Sequence, residues 1–360
     1  MARVTLSDIA RELNLNPSSV ARALSERCGN TRISEETRRR VREAAARLHY
    51  RSHSAGRSLS TRRFQNIGFF TVKKVTSDYS YAESVYEGLA DAAAEHGQNV
   101  VLARLPRIEA GLDEIPRALR EQCLDAVVIY DSASLLPGFQ AAVAASGLPV
   151  VYLNEKQPTN AVYVDDVLSG QLMTEHLIAR GYRRITMLLS KGERTHYSTP
   201  DRVAGYEKTM REAGLEPDIR SFNNKFLLEQ ASPWLSSSER PEAIFCHGDI
   251  LAMALFRVLY ALGLHVPKDI AVAGCDGEEH ALRSVVPLTT LEIPFRAMAA
   301  EALRMALRLV REPGSDGVPS VVFHPRLLPS VSTGCPPSPH PTQLSAAPFP
   351  LVKEEIQRNP

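Results

Sequence analysis

The chain predicts an all-α helix-turn-helix head joined to a two-lobed α/β body with parallel sheets. Three observations carry this. Residues 1–25 hold two short amphipathic helical patterns around a tight Asn14-Leu15 turn. Residues 66–335 alternate short apolar runs with helical patterns, twice over. Charge divides at the same place. Residues 1–63 carry 14 arginines, no lysine and 6 acidic residues, a net of +8, while the remainder carries 28 basic and 35 acidic residues, a net of −7. The expected division is a head over 1–51, a linker over 52–65, the body over 66–335 and a proline-rich tail over 336–360.

In the first helix, Ile9, Ala10 and Leu13 share one face. Ser7 is positioned to cap it, and Asp8 suits the positive end of the helix dipole. Asn16 caps the second helix, and Pro17 fits its first position, where no N–H is needed. Val20, Ala21 and Leu24 are expected to face back toward Ile9 and Leu13. Pro17, Ser18, Ser19 and Arg22 then lie on the outer face, as a recognition helix presents itself to a DNA major groove. A small helical hairpin with a polar outside is the alternative. A third helix is predicted over 34–48, capped by Ser34, with Glu35 and Glu36 in its first turn and Val41, Ala45 and Leu48 on its apolar stripe.

The local +8 favours the DNA reading over the hairpin. It is an electrostatic footprint for phosphate on a chain whose net charge is only +1. It consists entirely of Arg, the side chain suited to bidentate phosphate and guanine contacts. Residues 51–63 are polar and basic, with Leu59 the one large aliphatic residue, and cannot fold alone.

In the body, strands are predicted over 67–72, 99–103, 126–130 and 149–153, with helices near 82–96, 112–122 and 138–145 between them. A second series is expected to begin with a strand over 162–164 and to continue with strands over 185–189, 243–245 and 270–273. Its helices lie near 169–179, 202–213 and 250–262. A strand over 289–291, a helix near 295–310 and a strand pair near 321–328 suggest a return to the first lobe and back. A ligand is expected between the lobes, beyond the carboxyl ends of the strands.

With 360 residues and 44% hydrophobic content, the chain can bury a sizeable core. No apolar run approaches a membrane span, and the first residues do not read as a signal peptide. Five scattered cysteines, with no CxxC pair, signal neither a zinc site nor a disulfide framework, which suits a reduced cytoplasm. Seven prolines in the last 25 residues point to a tail without fixed structure and without a coiled-coil heptad. No P-loop, no GxGxxG opening a helix, no GxSxG and no metal-spaced cluster speaks for an enzyme, a cofactor or a metal.

The chain resembles the lactose-repressor (LacI/GalR) family of bacterial transcription regulators over roughly residues 3–335. The resemblance rests on the helix-turn-helix, Ile33-Ser-Glu-Glu-Thr-Arg38, Tyr50 and Ala55-Gly-Arg-Ser-Leu59 in the head. In the body it rests on Asp201-Arg-Val-Ala-Gly-Tyr206, Ala243-Ile-Phe-Cys-His-Gly-Asp249, the 262–270 stretch, Gly274-Cys-Asp276 and Pro287-Leu-Thr-Thr-Leu291. It implies a periplasmic-binding-protein-like body and a cytoplasmic, nucleoid-associated homodimer with no place in the membrane. Such a dimer binds a pseudo-palindromic double-stranded DNA operator under control of a small-molecule effector. A repressor is expected, with an activator as the alternative, and a sugar or sugar derivative comes ahead of a purine. A secreted sugar-binding protein would share the body but not the DNA reader.

By the same resemblance Ser18 and Arg22 read bases and Ser19 lies near phosphate. Ser7, Asn16, Pro17 and Arg57 complete the expected DNA set. Leu59 is the wedge that enters the minor groove and kinks the duplex, against a plain linker leucine. Ser52 and His53 stand where Pro and Asn are usual, and Gly56 where Ala is common, which weakens a hinge helix. Ala21 stands where Ser is common. For the effector, Arg202 and Asp276 are the expected gripping pair, against a purely structural ion pair. Ser80 and Tyr81 cover the ligand from the first lobe, and Phe222 stacks on it. Asp165 and Asp249 are further candidates, Asp249 being equally readable as a helix cap.

Overall fold

The computed structural model describes residues 4–24, 33–51, 63–71, 81–104, 119, 121, 123–130, 143–191, 196–314 and 317–336. The chain forms two compact units, Met1–Phe64 and Gln65–Pro360. The proline-rich tail beyond 336 and the linker over 52–62 lie outside the described residues, as do the predicted helix near 112–122, but for residues 119 and 121, and most of that near 138–145.

The first unit holds helices Leu6–Leu13, Pro17–Leu24 and Glu35–Arg47. The cap of the first helix is Thr5, not Ser7. Thr5 Oγ1 accepts from Asp8 N, and Asp8 Oδ2 takes the Thr5 amide at 2.9 Å and its hydroxyl at 2.7 Å. This reciprocal box needs an acid three residues after the cap, and only Thr5 has one. Asn14, at φ 52°, ends the helix in the left-handed conformation that Asn tolerates. Asn16 caps the second helix as predicted, its Oδ1 accepting from Ser18 N at 3.0 Å.

Ile9, Ala10, Val20, Ala23, Val41, Ala44 and Ala45 form the core of this unit. Ala23 replaces Ala21 in the inward face: Val20, Ala23 and Leu24 follow helical spacing, and Ala21 is turned outward to solvent. Ser34 caps the third helix as expected, and an Arg47–Glu12 ion pair ties that helix to the first.

In the second unit, six parallel strands run in the order β11-β5-β4-β3-β1-β2. They are β1 Asn66–Thr71, β2 Asn99–Arg104, β3 Ala126–Tyr130, β4 Val150–Leu153, β5 Ala161–Val164 and β11 Val321–Phe323. Helices Tyr81–Glu95 and Phe295–Arg311 pack together against this sheet. A second parallel sheet runs β7-β6-β8-β9, from β6 Ile185–Ser190, β7 Asp218–Phe222, β8 Ala243–Cys246 and β9 Ala271–Ala273. Antiparallel β10 Thr290–Glu292 and β12 Arg326–Leu328 flank it, β10 through bridges from Thr289 and Glu292 to Ala273 and Asp276.

Three expectations change. The 162–164 strand belongs to the first sheet instead of opening the second, since Tyr152 and Leu153 pair with Ala161 and Val162. The 321–328 pair is no pair, because β11 joins β5 in one sheet and β12 joins β10 beside the other. β7 is an added edge strand. Its Asp-Ile-Arg-Ser-Phe sequence lacks the apolar run of a central strand, as an exposed edge allows.

Helices Asp166–Ala179 and Ser198–Glu212 cross at a pair of glycines. A Cβ on Gly170 would lie 2.1 Å from the Arg202 carbonyl oxygen, and one on Gly205 would lie 2.0 Å from that of Val167. No side chain fits there, so the backbones touch and Arg202 is brought to the first residue of the neighbouring helix.

Candidate functional site

On the second helix of the head, Val20 and Ala23 are buried while Pro17, Ser18 and Arg22 are exposed and Ser19 is half-buried. Asn16 is exposed beside them, its carboxamide holding Ser18 N and Oγ at 3.0 and 2.9 Å. Ser7 is exposed on the first helix. Of the predicted outward set, Pro17, Ser18 and Arg22 therefore face solvent, while Ser19 is only half open. Arg57 and Leu59 lie outside the described residues.

The body's polar centre lies where strand ends of both sheets meet. Arg202 is almost wholly buried. Its Nε donates to Asp166 Oδ1 at 2.6 Å, Nη1 donates to the His247 carbonyl, and Nη2 lies 3.7 Å from Asp276 Oδ1. Three elements thus converge: the start of the helix after β5, the end of β8 and the loop after β9. Asp276 sits at φ 124°, an uncommon conformation for a residue with a side chain, and keeps its carboxylate partly open to solvent.

The first lobe reaches the same place. Tyr197 Oη accepts from Val164 N at 3.0 Å and donates to Asn154 Oδ1 at 3.2 Å. His196 Nδ1 accepts from Ser198 N, which leaves Nε2–H to donate to the Asn154 carbonyl at 2.7 Å. Lys156 pairs with Asp201 at 2.7 Å. These bonds join the segment after β4 to the helix that carries Arg202.

Electrostatics sharpen the picture. Burial alone would lower the Arg202 pKa, but Asp166 and Asp276 outweigh it and hold the guanidinium charged well beyond its usual range. Burial and the Arg202 charge push His247 down to about 4, so its imidazole is neutral at ordinary pH. Burial, reinforced by the Asp166 charge, raises the Tyr197 phenol.

The sequence-named residues fare differently. Arg202 and Asp276 come together. Asp165 caps the Asp166–Ala179 helix, its Oδ1 accepting from Leu168 N at 3.0 Å, and follows a strand of the first sheet instead of the second. Asp249 is fully buried, and both oxygens are engaged: Oδ1 by Thr290 Oγ1 at 2.6 Å and Oδ2 by Glu278 N at 2.8 Å. Burial, with the charges of Asp276 and Glu278, pushes its carboxyl pKa well up. It does not cap its helix, whose N-cap is Gly248; its carboxylate instead ties the helix start to Glu278 and Thr290, far along the chain. Phe222, half-buried at the end of β7, packs on Trp234 with ring centroids 5.9 Å apart. Tyr81 opens the Tyr81–Glu95 helix, and Ser80 lies outside the described residues.

Sequence reasoning missed Asp166, Asn154, His196 and Tyr197. The doubled acid Asp165-Asp166 after an apolar run was a usable signal, since only one of two adjacent acids can cap a helix. Nothing comparable marked the other three. Among the described residues no cluster of His, Cys, Asp and Glu could hold a metal ion, and no helix is long and apolar enough to cross a membrane.

Fold and site together define a class: a three-helix helix-turn-helix head and a two-lobed α/β body whose strand ends meet at a buried polar centre. The periplasmic binding protein-like domain family matches over residues 174–333. The transcriptional repressor PurR of Photobacterium profundum is 26% identical over 317 residues, 86% of this chain and 92% of that protein. The transcriptional regulator RegA of Clostridium saccharobutylicum is 27% identical over 337 residues, 91% of this chain and 99% of the relative. Among solved structures, the lac repressor dimer bound to operator and the anti-inducer ONPF superposes with a TM-score of 0.75 at 22% identity, covering 92% of this chain and 99% of that one. The CelR–cellobiose complex gives 0.66 at 23% identity, covering 92% and 100%. Along most of its length the chain is thus similar to helix-turn-helix transcriptional repressors and regulators, and in fold to the lac repressor.

Proposed function

We propose that this chain is a cytoplasmic, operator-binding repressor in which a small polar effector, held at Arg202 and Asp276 between the lobes, sets the spacing of two DNA-reading heads in a homodimer. The observation that carries the reading is the Arg202 constellation. A buried guanidinium is reached from the strand ends of the second lobe and is linked to the first through Tyr197, His196 and Asn154. A ligand that favours one lobe arrangement over the other shifts the heads; affinity without that preference shifts nothing. In the head, Ser18 and Arg22 read bases, Ser19 meets phosphate, and Ser7, Asn16, Pro17 and Arg57 support the contact. Leu59 enters the minor groove of a pseudo-palindromic operator.

A sugar or sugar derivative is the first reading of the effector, as a cellobiose complex and a lac repressor lie among the structural neighbours. A purine is the second, resting on the Phe245-Cys-His-Gly-Asp249 stretch whose His247 carbonyl holds Arg202. The test is a gel shift at several salt concentrations, titrated with sugars and purines, parent beside Arg202→Ala and Asp276→Asn. Both variants should bind DNA with the parent's salt slope and lose the effector response. A response retained by Arg202→Ala at the parent's effector concentration moves the site elsewhere.

A further inference from the structure

We infer that Asn16 and Ser18 act together as one base reader, and that the base they take is adenine. This rests on the reading of the Pro17–Leu24 helix as the DNA-recognition element and names the chemical groups it meets. The Ser18 amide can only donate, and Asn16 Oδ1 accepts from it at 3.0 Å. That bond fixes which side of the carboxamide is the oxygen. The Ser18 hydroxyl lies 2.9 Å from the same oxygen and must donate to it. Its hydrogen is spent there, and the lone pairs of Oγ are left for a partner outside. Turning the hydrogen outward would forfeit the 2.9 Å bond.

The other half of the carboxamide has the opposite character. Asn16 Nδ2 carries two N–H donors. Among the described residues nothing accepts from them. Asn16 and Ser18 are both exposed, so the pair offers a donor and an acceptor side by side. In the major groove adenine alone presents the complement on a single base, because its N7 accepts and its N6 amino group donates. Guanine presents two acceptors, thymine an acceptor and a methyl group, and cytosine one donor. An Oγ whose hydrogen is spent meets guanine O6 or thymine O4 as lone pair against lone pair. Arg22 supplies the contrast. It stands one helical turn beyond Ser18 on the same face, exposed, and among the described residues without an acidic partner. Its five donors suit guanine, whose N7 and O6 both accept. Adenine and guanine are thus read by different residues of one helix, and either preference can be lost without the other.

The experiment selects DNA duplexes from a randomised pool with the full chain, with Ser18→Ala and with Arg22→Ala. The parent should enrich a half-site that holds an adenine and a guanine. Ser18→Ala should relax the adenine preference about fivefold or more and keep the guanine, and Arg22→Ala should do the reverse. The selected duplex is then remade at that adenine with 7-deazaadenine, which lacks the N7 acceptor, or with unsubstituted purine, which lacks the amino group. Each should weaken the parent about fivefold in a gel shift. Asn16→Asp keeps both bonds to Ser18 and removes the two donors. Its added charge weakens every duplex alike, so the ratio between duplexes is read. Asn16→Asp should not be weakened by the loss of N7, nor Ser18→Ala by the loss of the amino group. A Ser18-dependent position that is guanine, thymine or cytosine overturns the inference, as does a parent indifferent to either analogue. A Ser18→Ala motif identical to the parent's overturns it too, and a uniform loss at every position reduces the pair to a helix cap. A parent that enriches no sequence removes the recognition reading itself, and this inference with it.

Discussion

Replacing Gly205 with Ala tests whether the glycine crossing holds the site together. The added Cβ would stand 2.0 Å from the Val167 carbonyl oxygen and 2.9 Å from Gln171 N. An ordinary carbon–oxygen contact is about 3.3–3.6 Å, so the helices must part by roughly 1.3 Å or more. The obstacle is backbone and cannot rotate away. Alanine in a helix interior gains about 1 kcal/mol over glycine, whereas forced overpacking costs about 1–3 kcal/mol, here at the upper end. The net expectation is a loss of about 2 kcal/mol, read as a lower urea midpoint with an unchanged slope. The same parting stretches the 2.6 Å bond between Arg202 and Asp166, so the effector response should weaken as well. Gly170→Ala should act alike, and the double variant should cost less than the two singles combined, because one parting serves both methyl groups. A Gly205→Ala protein as stable as its parent, or more so, would refute the close crossing.

Arg22→Ala should cost about 1–3 kcal/mol on the cognate operator and less on random DNA in a gel shift; equal losses would make Arg22 a phosphate contact only. Leu59→Ala should weaken operator binding and reduce the bend, and circular-permutation gel shifts with an unchanged bend count against the wedge. For pH, His247 takes up a proton near 6.5 when unfolded but only near 4 when folded, so the unfolded chain binds the extra proton between those values. Stability should therefore fall as pH drops below about 6.5, by about 2 kcal/mol at pH 5. His176, also lowered by burial, contributes in the same direction. Urea midpoints from pH 7.5 to 5 should fall less steeply for His247→Asn, and parallel curves would assign the slope to other groups.

Much of the fold was legible because local rules and global packing agree. Asn16-Pro17 and Ser34 announce helix starts, and the basic head is confined to one segment. What stayed hidden depends on contacts distant in sequence. A four-residue apolar run such as Ala161–Val164 suits either sheet, and only its pairing with β4 decides. The edge strand β7 buries too little to show a pattern. In the site, Arg202 and Asp276 were named through the family resemblance carried by Asp201-Arg-Val-Ala-Gly-Tyr206 and Gly274-Cys-Asp276. Asp166 became visible only once the crossing helices brought it beside Arg202, and Asn154 and Tyr197 only once the lobes met.

The sheet order also has a consequence for how the chain is made. β5 belongs to the first sheet, and its outer neighbour is β11, which lies after the whole of β6 to β9 in the sequence. A ribosome therefore delivers every strand of the second sheet while the first still ends in the bare edge of β5. The helix Phe295–Arg311 that covers the first sheet is also among the last parts to emerge. A nascent chain halted before residue 295 would carry its DNA-reading head and a complete second sheet, but a first lobe with one face uncovered. Such a fragment would be a substrate for proteases, and premature termination would be cleared instead of leaving a head that occupies DNA beyond the reach of any effector.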